Sequence, residues 1–224
     1  MIKIKLHGKK LYPSDHTKYL GVLIDSHLNF NTHMRSIGNK LSRSQGMLSK
    51  LRHYVNKSTL KSIYYSIFSS LMTYASIIWG QNKNIQFKRL EAIQNKTVKT
   101  INFANFLDSP SHSYKSLNIL KLTDNIKLQN FLFSYDCIHK QLPSALKNSV
   151  NLISNLHNYQ TRASCNRNVS LPCIRTSAFG LKSISFQSAK EWNFFNNMFK
   201  DLELHRKSKS FCKQRIVDYF LNNY

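Results

Sequence analysis

The sequence predicts a mainly α protein that opens with a short antiparallel β unit and closes, after an irregular basic segment, with two helices. Three observations carry this. Alternating residues and a turn signal occupy positions 2–24, helical periodicity sets in at Asn31 and keeps returning, and the stretch 149–185 has none. With 224 residues, 42% of them hydrophobic, and 14 Phe and 11 Tyr, the chain has material for a core. A fold of this length buries roughly 70% of its unfolded surface.

Each element has its own signal. IKIKL (Ile2–Leu6) alternates, Gly8 with Lys9 and Lys10 marks a turn, and KYLGVLID reads as a further strand ending before Asp25. Two or three strands of this length need a partner surface over their apolar face. From Asn31, Met34, Ile37, Leu41, Leu48 and Leu51 form one helical stripe, with Arg35, Arg43 and Lys50 opposite and Lys40 beside them. Ser58 is the expected N-cap of a second helix, whose broad apolar face runs from Leu60 through Tyr64, Phe68 and Leu71 to Ile78 before Gly80 ends it.

A third helix, about 85–104, repeats the first. Leu90, Ile93, Thr97 and Ile101 share its inner face, and Lys88, Arg89, Lys96 and Lys99 occupy the outer one. Two basic ridges thus flank one buried helix. Solvated helix faces usually mix signs, yet Glu91 is the only acid from Asn84 to Leu107, so a phosphate-facing role is the better reading. After Asp108-Ser109-Pro110 come a short helix near Tyr114 and Leu117 and a longer one over 124–139, carrying Ile126, Leu128, Phe131, Leu132 and Tyr135. The segment 149–185 reads as loop or extended chain, with Pro172 and Gly180 as breaks, and helices over 186–199 and 208–221 end the sequence. The expected divisions are 1–29, 30–148 and 149–224.

Charge narrows the function classes. Against 33 Lys and Arg stand 10 Asp and Glu, a formal +23, and a polyanion is the partner such a field attracts. AT-rich coding enlarges a lysine count but does not explain so few acids. Nucleic acid is preferred over an anionic membrane surface, and the longest apolar window, Ile63–Trp79, carries four serines and is shorter than a bilayer requires. Four scattered cysteines and a start without an apolar leader predict reduced thiols in a nuclear or cytoplasmic, non-secreted protein.

No catalytic constellation is expected. The seven Asp residues never stand as an adjacent pair, as a two-metal site prefers, and no GxxxxGK loop or GxSxG elbow occurs. No close pair of Cys or His ligands predicts zinc, so neither metal nor cofactor is expected. A hydrolase built on Cys165, Cys173 and His157 is a minor alternative. His33 and His53 lie about 30 Å apart along one helix and cannot share a phosphate. LHNYQTRASCNR (Leu156–Arg167) offers His157, Tyr159, Arg162 and Arg167 for stacking on bases and for backbone contact with RNA. Tyr159 equally suits the edge of a small core.

KYLGVLIDSHLNFNTHM with the basic helix that follows, LRHYVNKSTLKSIYYSIFSSLMTYASIIWG, HNYQTR, Arg175-Thr176, Gly180 and Trp192-Asn193 form an ordered series. It resembles the C-terminal part of reverse transcriptases of non-LTR, LINE-type retrotransposons, over nearly the whole chain. The resemblance implies that Lys18, Tyr19, Leu20 and Gly21 correspond to the primer grip and that residues 31–104 form a thumb-like bundle cradling template and primer. It further implies an RNA-binding C-terminal extension after Ser149, with RNA or an RNA/DNA hybrid as ligand. The family's fingers, palm with catalytic aspartates, and endonuclease have no counterpart in these residues. The expectation is therefore a non-catalytic chain whose N-terminal strands present an apolar face to a palm. Phe194-Phe195 replaces the family's Leu-Pro after Trp-Asn, and Gln160 its Asn. A free-standing RNA-binding module and an unused reading frame are the alternatives.

Overall fold

The computed structural model describes residues 4–6, 9–12, 14–105, 107–156, 159–176 and 179–224. Ile2, the turn expected at Gly8, and His157 lie outside them. The architecture is mainly α. Two small antiparallel hairpins come first: β1 (Ile4–Leu6) pairs with β2 (Lys9–Leu11), and β3 (His16–Tyr19) with β4 (Val22–Asp25).

KYLGVLID is therefore a hairpin, not the single strand that its apolar run predicts. Tyr19 faces Val22 across a two-residue turn in which Leu20 and Gly21 take positive φ, 44° and 83°. That turn matches the strand twist and favours glycine. Strand β4 lies on the first helix, with Val22 buried and Leu23 and Ile24 half-buried, while all of β3 is exposed. The apolar side of this hairpin is thus covered from within the chain, and the exposed apolar residues at its tip are Tyr19 and Leu20.

Helix α1 (Asn31–Leu51) buries Met34, Ile37, Leu41 and Leu48, as its stripe predicts. The second helical stretch is broken where periodicity suggests continuity. It comprises α2 (Lys57–Ile63), a π-helical turn (Tyr64–Ser69), α3 (Ser70–Thr73) and α4 (Ser76–Trp79). Its N-cap is Asn56, whose side chain accepts from Thr59 N at 2.9 Å, and not Ser58. Ser66 and Ser70 bond back to carbonyls three and four residues earlier, which competes with regular helix. At Tyr74 and Ala75 the chain leaves the helix (Ala75 φ 51°), and Trp79 Nε1 takes up the freed Tyr74 carbonyl at 2.9 Å. Gly80 follows because a Cβ there would come within 2.5 Å of Ile126 Cδ1.

Next come α5 (Ile85–Ile101), α6 (Pro110–Leu117) and α7 (Leu122–Ile138), then 3₁₀ turns, the one-turn α8 (Arg162–Cys165), α9 (Ile184–Met198) and α10 (Lys209–Asn222). Two apolar cores result. The first gathers Val22, α1 to α6 and the start of α7, and the second gathers Leu128–Cys137 of α7 with Val150, Val169, α9 and α10. Helix α7 belongs to both, because a helix apolar around much of its circumference can be buried on two sides. Tyr224 adds a tie between them: its hydroxyl donates to Asp124 Oδ2 and accepts from Lys121 N, both at 2.9 Å. Among the described residues no helix is long and apolar enough to cross a membrane.

Candidate nucleic-acid interface

The loop before α1 is built from short polar side chains. Asp25 Oδ1 accepts from His27 N and Asn29 N, while Asn82 Nδ2 donates to Leu28 O. Asn84 caps α5 through Phe87 N and donates from Nδ2 to Asn31 Oδ1 at 2.7 Å, so α1 and α5 begin side by side. Further along, Arg89 Nη2 donates to Asn39 Oδ1 at 3.2 Å. Near the helix ends, Ser49 and Arg52 face Asn95, Lys96 and Lys99 across a cleft of about 610 Å³. The two helices therefore run parallel, with their polar faces on one surface.

That surface carries the predicted residues. Arg35, Lys40, Arg43 and Lys50 on α1 and Lys88, Arg89 and Lys96 on α5 are exposed, and Lys99 is half-buried. Three ion pairs occur among the described residues: Lys127–Asp124, Arg206–Glu203 and Lys209–Asp136. None of them uses an α1 or α5 side chain. Between Asn31 and Leu107 the sequence holds twelve Lys and Arg and one acid, Glu91. Glu91 is half-buried on α5's flank, where burial raises its pKa and Lys83, Lys88 and Lys121 pull it back, and of these three only Lys88 belongs to the outer ridge. From Arg35 to Lys50 the ridge runs about 22 Å along the helix, roughly six phosphate steps of one strand at about 3.4 Å each.

The hairpin turn joins this surface from the other side of α1. Tyr74, swung outward by the break after α3, donates its hydroxyl to Leu20 O at 2.7 Å. Lys18, Gly21, Ser36, Lys40 and Ser70 line a pocket of about 420 Å³ together with His33. His33 is buried, its Nδ1 accepts from Leu23 N at 3.3 Å, and burial, then the nearby Lys40, holds its pKa below the ordinary value. So Lys18, Tyr19, Leu20 and Gly21 form one exposed turn, tied to Tyr74 directly and to α1 through β4.

Tyr159, Arg162 and Arg167 stand elsewhere, on the second core. Thr161 caps α8 in a reciprocal box with Ser164, and Asn193 holds Val169 by two bonds, from N to Oδ1 at 2.8 Å and from Nδ2 to O at 2.9 Å. Trp192 Nε1 donates to Arg167 O at 3.2 Å. Trp192-Asn193 thus clamps the loop that presents Arg162 and Arg167, both exposed. Tyr159 is 79% exposed, at the surface and not at a core's edge.

Sequence reasoning missed two residues here. The Arg52 guanidinium lies 5.1 Å above the Phe103 ring beside the α1–α5 cleft, and Phe103 is half-exposed with φ 55°. Only Arg52 lay in a stretch of alternating aromatic and basic residues, LRHYVNK. As for metal chemistry, no group of three His, Cys, Asp or Glu able to hold an ion occurs among the described residues. Cys165 and Cys173 are exposed, whereas burial pushes the Cys137 and Cys212 thiols up to about 11.

Comparison with known proteins bears out the resemblance. The chain is 30% identical over 113 residues to a protein described as the probable RNA-directed DNA polymerase from transposon X-element of Drosophila melanogaster, 49% of this chain and 12% of that one. It is 23% identical over 137 residues to the probable polymerase from transposon BS of the same organism, 58% and 15% of the two chains. It is 27% identical over 135 residues to the RNA-directed DNA polymerase from mobile element jockey, also of that organism, 59% and 14%. The matches thus span about half of this chain and less than a sixth of each of these relatives. No family model and no solved structure matches.

Proposed function

We propose, from this similarity to RNA-directed DNA polymerases of mobile elements, that the chain is the nucleic-acid-gripping part of such a polymerase. The exposed turn Lys18–Gly21 acts as a primer grip, α1 and α5 act as thumb helices against the backbone of a template-primer hybrid or RNA, and the segment with Tyr159, Arg162 and Arg167 adds a single-strand contact. The observation that carries the reading is the parallel α1–α5 surface, where Arg35, Lys40, Arg43, Lys50, Lys88, Arg89 and Lys96 form no ion pair among the described residues and only Lys88 lies near a carboxylate, Glu91. Arginines and lysines left unneutralised along about 22 Å of helix are what a phosphate backbone needs and what a merely solvated face does not.

In this reading the chain binds and does not itself transfer phosphoryl groups, which calls for clustered carboxylates and metal ions. A polymerase body supplies these, meeting the chain at Tyr19 and Leu20, and the complex works in the nucleus or cytoplasm. Electrophoretic retention of a labelled RNA/DNA hybrid, with hairpin RNA as competitor, tests the proposal. About six phosphate contacts make affinity fall on the order of a thousandfold between 50 and 200 mM salt. No retention of hybrid at 50 mM contradicts the reading, and exclusive retention of the hairpin favours a free-standing RNA-binding module.

A further inference from the structure

A second site lies where the two cores meet. The loop after α4, the middle of α7 and the first turns of α9 enclose a pocket of about 440 Å³, within the range of small-molecule sites. Its frame is held by hydrogen bonds: Gln81 Nε2 donates to Asn130 Oδ1 at 3.1 Å, and Gln187 Nε2 to Leu181 O at 2.6 Å. The absence of a Cβ at Gly80 brings the loop against Ile126.

The side chains lining this pocket are an unusual set. Glu191 is 9% exposed, and among the described residues it has neither a hydrogen bond nor an ion pair. Its side chain is enclosed, but its carboxylate oxygens are open to the pocket and accept nothing from the described residues. Around it stand Lys83, Lys182 and Lys190, all exposed and without hydrogen-bond or ion-pair partners among the described residues. Lys127, the fourth, is turned toward Asp124 at 3.5 Å. Burial raises the Glu191 pKa, and Lys127, Lys190 and Lys83 oppose that shift. The lysines thus favour the ionised carboxylate without bonding it.

An inorganic anion alone does not suit the pocket, because Glu191 repels it. A simple cation does not suit it either, because of the three lysines. The ligand that satisfies both presents paired N–H donors at one end and a phosphate at the other. Among nucleobases, guanine offers two parallel donors, N1–H and N2–H, to the two oxygens of one carboxylate.

We propose that this pocket binds a guanine nucleotide, free or within single-stranded RNA, with Glu191 accepting from the base edge and Lys83, Lys182 and Lys190 holding the phosphate. The site is separate from the α1–α5 surface and does not depend on it.

The test compares binding of the pentamers UUGUU, UUAUU and UUUUU to the full chain, with GMP and AMP as competitors. The expected result is a preference of about tenfold for UUGUU. Glu191→Gln abolishes that preference, because an amide offers one acceptor where two are needed. Its thermal unfolding is not lowered, since the amide keeps the side chain's volume and no hydrogen bond or ion pair of the carboxylate is lost. Lys182→Ala with Lys190→Ala weakens binding of every pentamer and of GMP while leaving the base preference intact. Competition by GMP and not AMP assigns a free nucleotide, and retention of UUGUU without competition by GMP assigns an RNA strand. Equal binding of the three pentamers, binding of none, or a guanine preference that survives in Glu191→Gln overturns the proposal. Salt-dependent hybrid binding without guanine preference does so while leaving the α1–α5 reading intact.

Discussion

Gln94 shows how much one polar side chain can organise. Fully buried on α5, it accepts at Oε1 from Leu122 N and donates from Nε2 to Leu120 O and the Tyr64 hydroxyl. It thereby fixes the start of α7 and the π-helical turn against α5. Replacement by Leu leaves three buried groups unpaired, and the expected loss is on the order of 3 kcal/mol, a drop in Tm of roughly 10 °C by calorimetry for a domain of this size. Its partners were not legible in the sequence, because they come from segments 26 to 30 residues away. His33 makes a second residue-scale prediction. It stays neutral in the fold because burial and Lys40 depress its pKa from the ordinary 6.5. The unfolded chain therefore takes up the proton first as pH falls. Stability linked to His33 is full above about pH 6.5 and is lost below it. Urea midpoints at pH 7.5 and 5.5 should differ more for the native chain than for His33→Gln, and an equal decline in both contradicts this assignment.

At the scale of elements, α1, α5, α9 and α10 were legible because one apolar stripe and a polar N-cap or loop define each. The stretch from Asn56 to Gly80 was not. Its apolar periodicity continues through the break at Tyr74 and Ala75, where Ala75 takes a positive φ and the Trp79 indole bonds the freed Tyr74 carbonyl, neither of which the pattern of apolar residues marks. KYLGVLID misled for a related reason, since Leu20 is not a usual turn residue and only Gly21 marks the reversal. The break has a use, because it places the Tyr74 hydroxyl on Leu20 O. Tyr74→Phe removes that bond, worth about 1 kcal/mol. The expected outcome is amide exchange roughly fivefold faster in β4 with α5 unchanged. Uniform acceleration across both elements contradicts a local tie.

For the whole molecule, charge was the most legible property and the arrangement of the cores the least. A +23 chain with one acid between Asn31 and Leu107 points to a polyanion on composition alone. That α1 and α5 lie parallel, so that their ridges form one surface, rests on Asn84, Arg89 and the cleft at their far ends. Composition does not encode such pairings. Nor does periodicity separate the two faces of α7, which is why Leu128–Cys137 joins the segment beyond residue 149 in a second core. The two candidate surfaces accordingly sit on different cores, with α1 and α5 on the first and Tyr159, Arg162 and Arg167 on the second.

The central claim is that the α1–α5 ridge contacts phosphates directly, and its most direct test is the salt dependence of hybrid binding in the native chain and in Arg43→Ala/Lys50→Ala/Lys96→Ala. All three side chains are exposed, so the variant keeps the fold. The account predicts that log K falls against log salt with a slope of about −5 for the native chain and that the variant's slope is shallower by about three, one for each lost contact. A variant with the native slope, or a native affinity indifferent to salt, contradicts it.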